Sequence, residues 1–321
     1  LYLNTYFCHL HATKVMNLIV ALYICLHFRL MFDKYLLYSK TPYQLLVLSA
    51  LFFMALLLGS LASGILNEQF IGLSSEQMDA MDSIPEAYIA KVKWANALSL
   101  LLVLLLPAGL YAYLSHPRPL TYLKLNQGMP ALYVLLGMLA MVITIPAVSF
   151  MEQWGELIPM SKELKAMDDR YTLVARSILS TSDVLQFLIS VVTICILPAI
   201  IEELFFRGCL QTTLVRSLPK SPFTAILITS IIFSALHGQL SGFVPRIFLG
   251  MILGLAFHYS GNLWLSIGMH FLNNFLSVSL MFLYNRNLIP IDVSAPLNMH
   301  WLAGAMSLLG SIAIMYYFYH K

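Results

Sequence analysis

Eight stretches of roughly twenty predominantly apolar residues limit most what this chain can fold into; they lie at 44–66, 94–115, 130–151, 184–206, 222–240, 244–260, 263–284 and 299–319. As helices, such stretches cross a hydrocarbon core about 30 Å thick. In hydrocarbon every backbone donor and acceptor must be satisfied within the protein, and a helix does this segment by segment. The chain is 60% hydrophobic and 10% charged, against roughly 45–50% apolar and about 25% charged for soluble domains. The expected fold is all-α, a polytopic integral membrane protein of about eight transmembrane helices, with a ninth candidate at 15–32.

The net charge is +3 and the basic residues are scattered, so no nucleic-acid surface is expected. Cys8, Cys25, Cys195 and Cys209 have no CxxC spacing, which supports neither a disulfide framework nor a zinc knuckle. Residues 1–40 form an uncertain N-terminal extension that begins with leucine; Met16 and Met31 are alternative starts, and a signal peptide is the other reading, with no small-residue cleavage site behind it. Residues 41–183 hold the first three spans and two long polar loops, 67–93 and 152–183; 184–284 form the core, and 285–321 the last span and a short tail. The long loops carry Glu68, Glu76, Asp79, Asp82, Glu86, Glu152, Glu156, Glu163, Asp168, Asp169 and Asp183, whereas Lys34, Lys40, Arg118, Lys124, Arg216, Lys220 and Lys321 fall on the other side of alternating spans. The Lys/Arg bias puts both termini on the cytoplasmic side. Loop 152–183 reads as too charged to be buried and suits an amphipathic interfacial helix.

Within the core, Glu202 and Glu203 follow the apolar run 187–201. An ionised carboxylate at bilayer depth costs at least a few kcal/mol, so paired acids there mark a functional site by default. Arg207 lies four residues on and can neutralise one acid well, which leaves the other. Downstream, Phe233 precedes His237 by four residues, and His270 precedes Asn274 by four, placing each pair on one helical face. Antiparallel helices turning near Pro219 and Pro222 bring Glu203 and His237 to one level, roughly 23 Å from the turn. His270 and Asn274 climb only about 12–18 Å from their own turn at 260–262, so tilt or uneven turn depth is needed to join them.

A carboxylate in a low-dielectric site is suited to general acid–base work, and a nearby imidazole can share its proton. The His270 and Asn274 side chains could donate to a developing oxyanion. These groups suit hydrolysis of an amide by glutamate-activated water, without a cofactor. Zinc is the alternative, since two histidines and a glutamate make a legitimate set with one open position, yet the HExxH pattern is absent.

The three motifs, Glu202-Glu203-xxx-Arg207, Phe233-xxx-His237 and His270-xxx-Asn274, in order on successive apolar segments, resemble the signature of the CAAX prenyl protease and bacteriocin-processing family of intramembrane glutamic endopeptidases, also called the abortive-infection family. Residues 242–250 and 260–264 resemble bacterial members, which implies a bacterial inner-membrane protein. The resemblance covers about 184–284 and implies that Glu202 activates water with help from His237, that His270 and Asn274 hold the oxyanion, and that Glu203 and Arg207 form a supporting ion pair. It implies a membrane-associated peptide or protein as substrate, with the lipid bilayer as surroundings. Two other classes stay open: a non-catalytic immunity or scaffold protein of the same fold, and a proton-coupled transporter, for which no paired broken-helix repeat is visible. Outside the motifs plainer readings are preferred. Asn273 is assigned to another face, Arg246 to interfacial snorkelling, Trp94, Trp154, Trp264 and Trp301 to an aromatic belt, and Gly59–Gly64, Gly250–Gly254 and 303–305 to close helix packing.

Overall fold

The computed structural model describes Tyr23 and residues 36–81, 83–155, 159–290 and 299–320. The 15–32 candidate and the alternative starts lie outside these residues, apart from Tyr23. Among the described residues the fold is helical throughout, with no strand. Seven helices are long and apolar enough to cross a membrane: α1 (Thr41–Ile71), α3 (Glu86–Ser115), α5 (Ala131–Gly155), α7 (Val184–Ser217), α9 (Phe243–Ser260), α10 (Leu263–Asn285) and α11 (Trp301–Tyr319). Short α2 (Ser75–Asp79) and α4 (Pro119–Tyr122) lie in connections, α6 (Lys162–Leu179) in the second long loop, and α8 (Pro222–Ala235) between α7 and α9. This is a polytopic membrane bundle whose eight apolar helices match the eight stretches of the sequence.

Several helices run into the loops expected to be polar, α1 to Ile71, α3 from Glu86 and α5 to Gly155, and two further departures in length bear on the site. The α7 helix continues eleven residues beyond its expected end, to Ser217, and its 34 residues span about 51 Å. The α8 helix, at 14 residues, reaches only about 21 Å, and its chain turns at Leu236 rather than running on to 240. Pro222 starts it in the first turn, where the missing amide hydrogen costs nothing. The turn after it uses Gly238 at φ 72°, a left-handed conformation that glycine adopts without a Cβ penalty.

Hydrogen bonds tie the connections into two ends. At one, Leu36 N donates to Leu114 O, Leu263 N to Lys124 O and Asn262 Nδ2 to Gln127 O. At the other, Arg170 reaches Met81 O, Asn285 Nδ2 reaches Thr181 O, and Gln153 Nε2 reaches Met299 O. The α6 helix sits at this second end and closes a small apolar cluster of Ile71, Ile84, Ile89 and Val92 with Val174 and Ile178. It is amphipathic, as the sequence suggested, but charge does not keep all of it out of the interior, because Asp168 is only 5% exposed.

Prolines and glycines set the local packing. Pro146 inside α5 disrupts the helix ladder, and Ser307 of α11 enters the gap, accepting from Ala147 N (3.0 Å) and donating to Ile143 O. Close helix packing holds at Gly59, against Val103, and at Gly304, against Phe150, while Gly64 faces open space.

Candidate functional site

The site begins with how α7 is wound. Pro198 has no amide hydrogen, and its ring would clash with the carbonyl four residues back, that of Ile194. Just before it the helix widens into π turns over Val191–Ile196, and it widens again over Leu204–Gln211, immediately after the paired acids. Such widenings recur at functional sites because they re-aim side chains. Here they flank a single α-helical segment, Leu197–Glu203.

Consecutive residues of that segment differ by about 100° around the axis, and the two acids part company. Glu203 is fully buried and paired: Arg207 Nη1 lies 2.7 Å from its Oε1, and both side chains are 0% exposed. The same oxygen receives His270 Nδ1 at 3.0 Å. Arg207 Nη2 donates to Gly250 O (3.1 Å), and one turn on Gln211 Nε2 donates to Gly254 O (2.8 Å). Arg207 and Gln211 thus clamp α7 to α9 through two glycine carbonyls. At Gly254 a Cβ would sit 2.7 Å from both Gln211 Oε1 and Ile226 Cγ2, and at Gly250 it would meet Ser230 of α8 at 3.0 Å.

Glu202 faces the other way, into a cavity of about 310 Å³ that it lines with Ile194, Pro198, His237, Arg246, His270, Asn273 and Asn274, among others. Its Oε2 is buried without a hydrogen-bond partner and lies 3.9 Å from His270 Nε2, beyond direct hydrogen-bond reach. His237 Nδ1 sits 2.8 Å from Phe233 O. A carbonyl only accepts, so Nδ1 carries the hydrogen and Nε2 keeps its lone pair. Glu203, ion-paired to Arg207, likewise takes the Nδ1 hydrogen of His270, which leaves Nε2 toward Glu202. Phe233 is the hub beneath these groups, its ring centre 4.8 Å from Arg207 Cζ, 4.7 Å from the His237 ring and 6.0 Å from the His270 ring. That packing supplies the reason for a phenylalanine four residues before His237.

The structure therefore brings Glu202, His237, His270 and Asn274 to one cavity, with Glu203 and Arg207 behind it. His270 meets the acids despite its short climb, 3.0 Å from Glu203 and 3.9 Å from Glu202. Asn274 Nδ2 donates to Ile194 O (3.1 Å), a carbonyl of the wide turn that precedes Pro198. Two readings are corrected. Asn273 lines the same cavity and its Nδ2 donates to Asn274 Oδ1 (3.2 Å). Arg246 does not snorkel: it lines the cavity, its Nη1 donates to Gln239 Oε1 (2.9 Å) and its Nη2 to Gln239 O. Both corrections turn on which way a helix faces, a rotation that apolar spans do not encode. Pro198 was the one missed residue that carried a local signal. Among the described residues no three His, Cys, Asp or Glu side chains are grouped to hold a metal ion.

With this geometry in place, comparison with known families bears on the core. Residues 184–276 match the family model of Rce1-like type II CAAX prenyl endopeptidases. The Rce1-like segment runs from the start of α7 to just past Asn274 and so contains all three motifs and every residue of the cluster. It agrees with the resemblance drawn from the motifs. Neither the comparison with curated proteins nor that with solved structures returned a match.

Proposed function

We propose that the protein is an intramembrane endopeptidase that hydrolyses a peptide bond of a membrane-associated peptide or protein with a glutamate-activated water. Glu202 takes a proton from water as the water oxygen attacks the scissile carbonyl carbon. His237, through its free Nε2, orients that water and passes the proton on to the leaving nitrogen. The oxyanion is received by the Asn274 carboxamide and by the His270 ring. Glu203 and Arg207 hold His270 in place and do not touch substrate. The cycle is written without a cofactor, and zinc is what the chelator arm below tests. The resemblance of 242–250 and 260–264 to bacterial members supports a bacterial inner membrane, and the Lys/Arg distribution supports cytoplasmic termini.

The observation that carries this reading is the divergence of the two acids: Glu202 lines a cavity shared with both histidines and Asn274, while Glu203 lies outside that lining, fully buried, with its Oε1 held by Arg207 and His270. A supporting ion pair alone would need only one carboxylate.

The test profiles new N- and C-termini in host membranes carrying wild type or Glu202→Gln at equal abundance, with and without chelator. Termini that depend on Glu202 and survive chelation are the expected result. Identical termini in both membranes overturn the peptidase reading in favour of a non-catalytic protein of the same fold, and loss on chelation overturns the metal-free mechanism.

A further inference from the structure

The matched segment does not hold its first histidine alone. His237 stands at the end of α8, and the loop after it, 238–242, is gripped from outside the matched residues. Asp168 of α6, 5% exposed, accepts from Leu240 N (2.7 Å) and Ser241 N (3.4 Å). One turn along α6, Thr172 Oγ1 accepts from Gln239 Nε2 (2.9 Å) and donates to Asp168 O (3.0 Å). Gly155, at the end of α5, presses so closely on Ser241 O that no Cβ fits there. From the cavity side Arg246 takes both Gln239 Oε1 and Gln239 O. Every residue from Gln239 to Ser241 is thus fixed by a side chain of α6 or α9 or by the end of α5.

We propose that Asp168 is a positioning residue, holding the 238–242 loop and through it His237 over Glu202, and that α6 is a strap across the site. A buried carboxylate that accepts two backbone amides makes charge-assisted bonds about twice as strong as neutral ones, and the Leu240 and Ser241 amides lie outside any helix. The His237 ring is held by Nδ1 to Phe233 O and by the Phe233 ring, and its backbone by N–H to Ser234 O in the turn that opens the loop, so its aim follows that turn. The catalytic consequence rests on the peptidase reading; the strap does not.

Hydrogen exchange on the full-length protein in lipid nanodiscs decides it. Asp168→Ala is expected to speed exchange over 236–243 at least tenfold while α7 and α10 stay unchanged, and Asp168→Asn, which keeps an acceptor oxygen, to restore most of the protection. If Asp168→Ala loosens the whole chain, Thr172→Val tests the same strap at one bond and is expected to speed exchange a few-fold at 236–243 alone. On a peptide that the wild type cuts, Asp168→Ala is expected to lower kcat about tenfold with KM unchanged, recovering in Asp168→Asn. Unaltered exchange at 236–243 in both Asp168→Ala and Thr172→Val overturns the proposal, as does a loosened loop with kcat intact. Absence of any cleavage by the wild type sinks the peptidase reading instead, and leaves the exchange result to stand on its own.

Discussion

Glu202 and Glu203 are neighbours of one residue type on one helix, and the two sides of α7 make them different groups. Behind the helix, Glu203, Arg207 and the Gly250 carbonyl form a dry wall in which each charge has its partner within 3.1 Å. In front, Glu202 looks into a cavity of about 310 Å³ with an oxygen left unpartnered. A low-dielectric interior makes an unpaired polar group costly and a paired one strong. The wall is therefore where removing a group costs folding, and the cavity is where removing one costs chemistry.

The sharpest break of that contrast is Glu202→Gln, which keeps shape and removes the base. General acid–base groups contribute roughly 10²–10⁴-fold, so on a peptide identified from wild-type membranes the rate should fall about 10³-fold, or about 4 kcal/mol of barrier. The melting temperature in detergent should stay within about a degree of wild type, since no hydrogen bond of Glu202 Oε2 is lost. A cleaving Glu202→Gln protein would move catalysis elsewhere.

Across the helix, Arg207→Met should do the reverse. It leaves Glu203 buried without its cation, a change that costs roughly 3–5 kcal/mol in a buried pair, and thermal unfolding in detergent would read it as a large drop in melting temperature. The double variant Glu203→Leu with Arg207→Met removes both charges and should recover most of that stability. It should not recover activity, because His270 Nδ1 then has no carboxylate at 3.0 Å to hold it. Full activity in the double variant would show that the wall does not position the cavity.

A smaller effect probes how closely the wall must pack. Gly254→Leu would drive a side chain into Ile226 and Gln211, both 2.7 Å from the Cβ position. Overpacking of that kind costs roughly 1–3 kcal/mol and should part α9 from α7 before it disturbs Glu202, so that stability falls further than rate. An unchanged melting temperature would mean that the α7–α9 contact is soft.

This contrast shows where the sequence was readable. The eight apolar helices could be found because a span is a local property, set by composition over about twenty residues. The partnership of Glu203 with Arg207 was readable too, because i, i+4 neighbours must share a face. What could not be read was rotation about the axis: Arg246 and Asn273 face the cavity because of how α9 and α10 are turned by their neighbours, and no periodicity marks that in helices apolar nearly all round. Asp168 was hidden for a different reason. A charge on an amphipathic helix usually faces water, and only the two amides of a loop 72 and 73 residues away make a buried place for it.

Pro198 tests the smallest difference between the two sides, because it sits one turn before Glu202 on the same face and lines the cavity. It cannot donate to Ile194 O, and Asn274 Nδ2 does so at 3.1 Å. Pro198→Ala restores an amide hydrogen that in the ordinary α register reaches Ile194 O, four residues back, so a helix that tightens to that register competes with Asn274 for the carbonyl. Losing a neutral hydrogen bond of this kind is worth about 1 kcal/mol, which as a rate is roughly fivefold. Because alanine is the better helix former, stability should hold or rise while kcat falls, and KM should not move if Asn274 acts on the oxyanion alone. A Pro198→Ala protein that melts higher and cuts as fast would show that the wide turn serves packing and that Asn274 needs no help from Ile194 to reach its place.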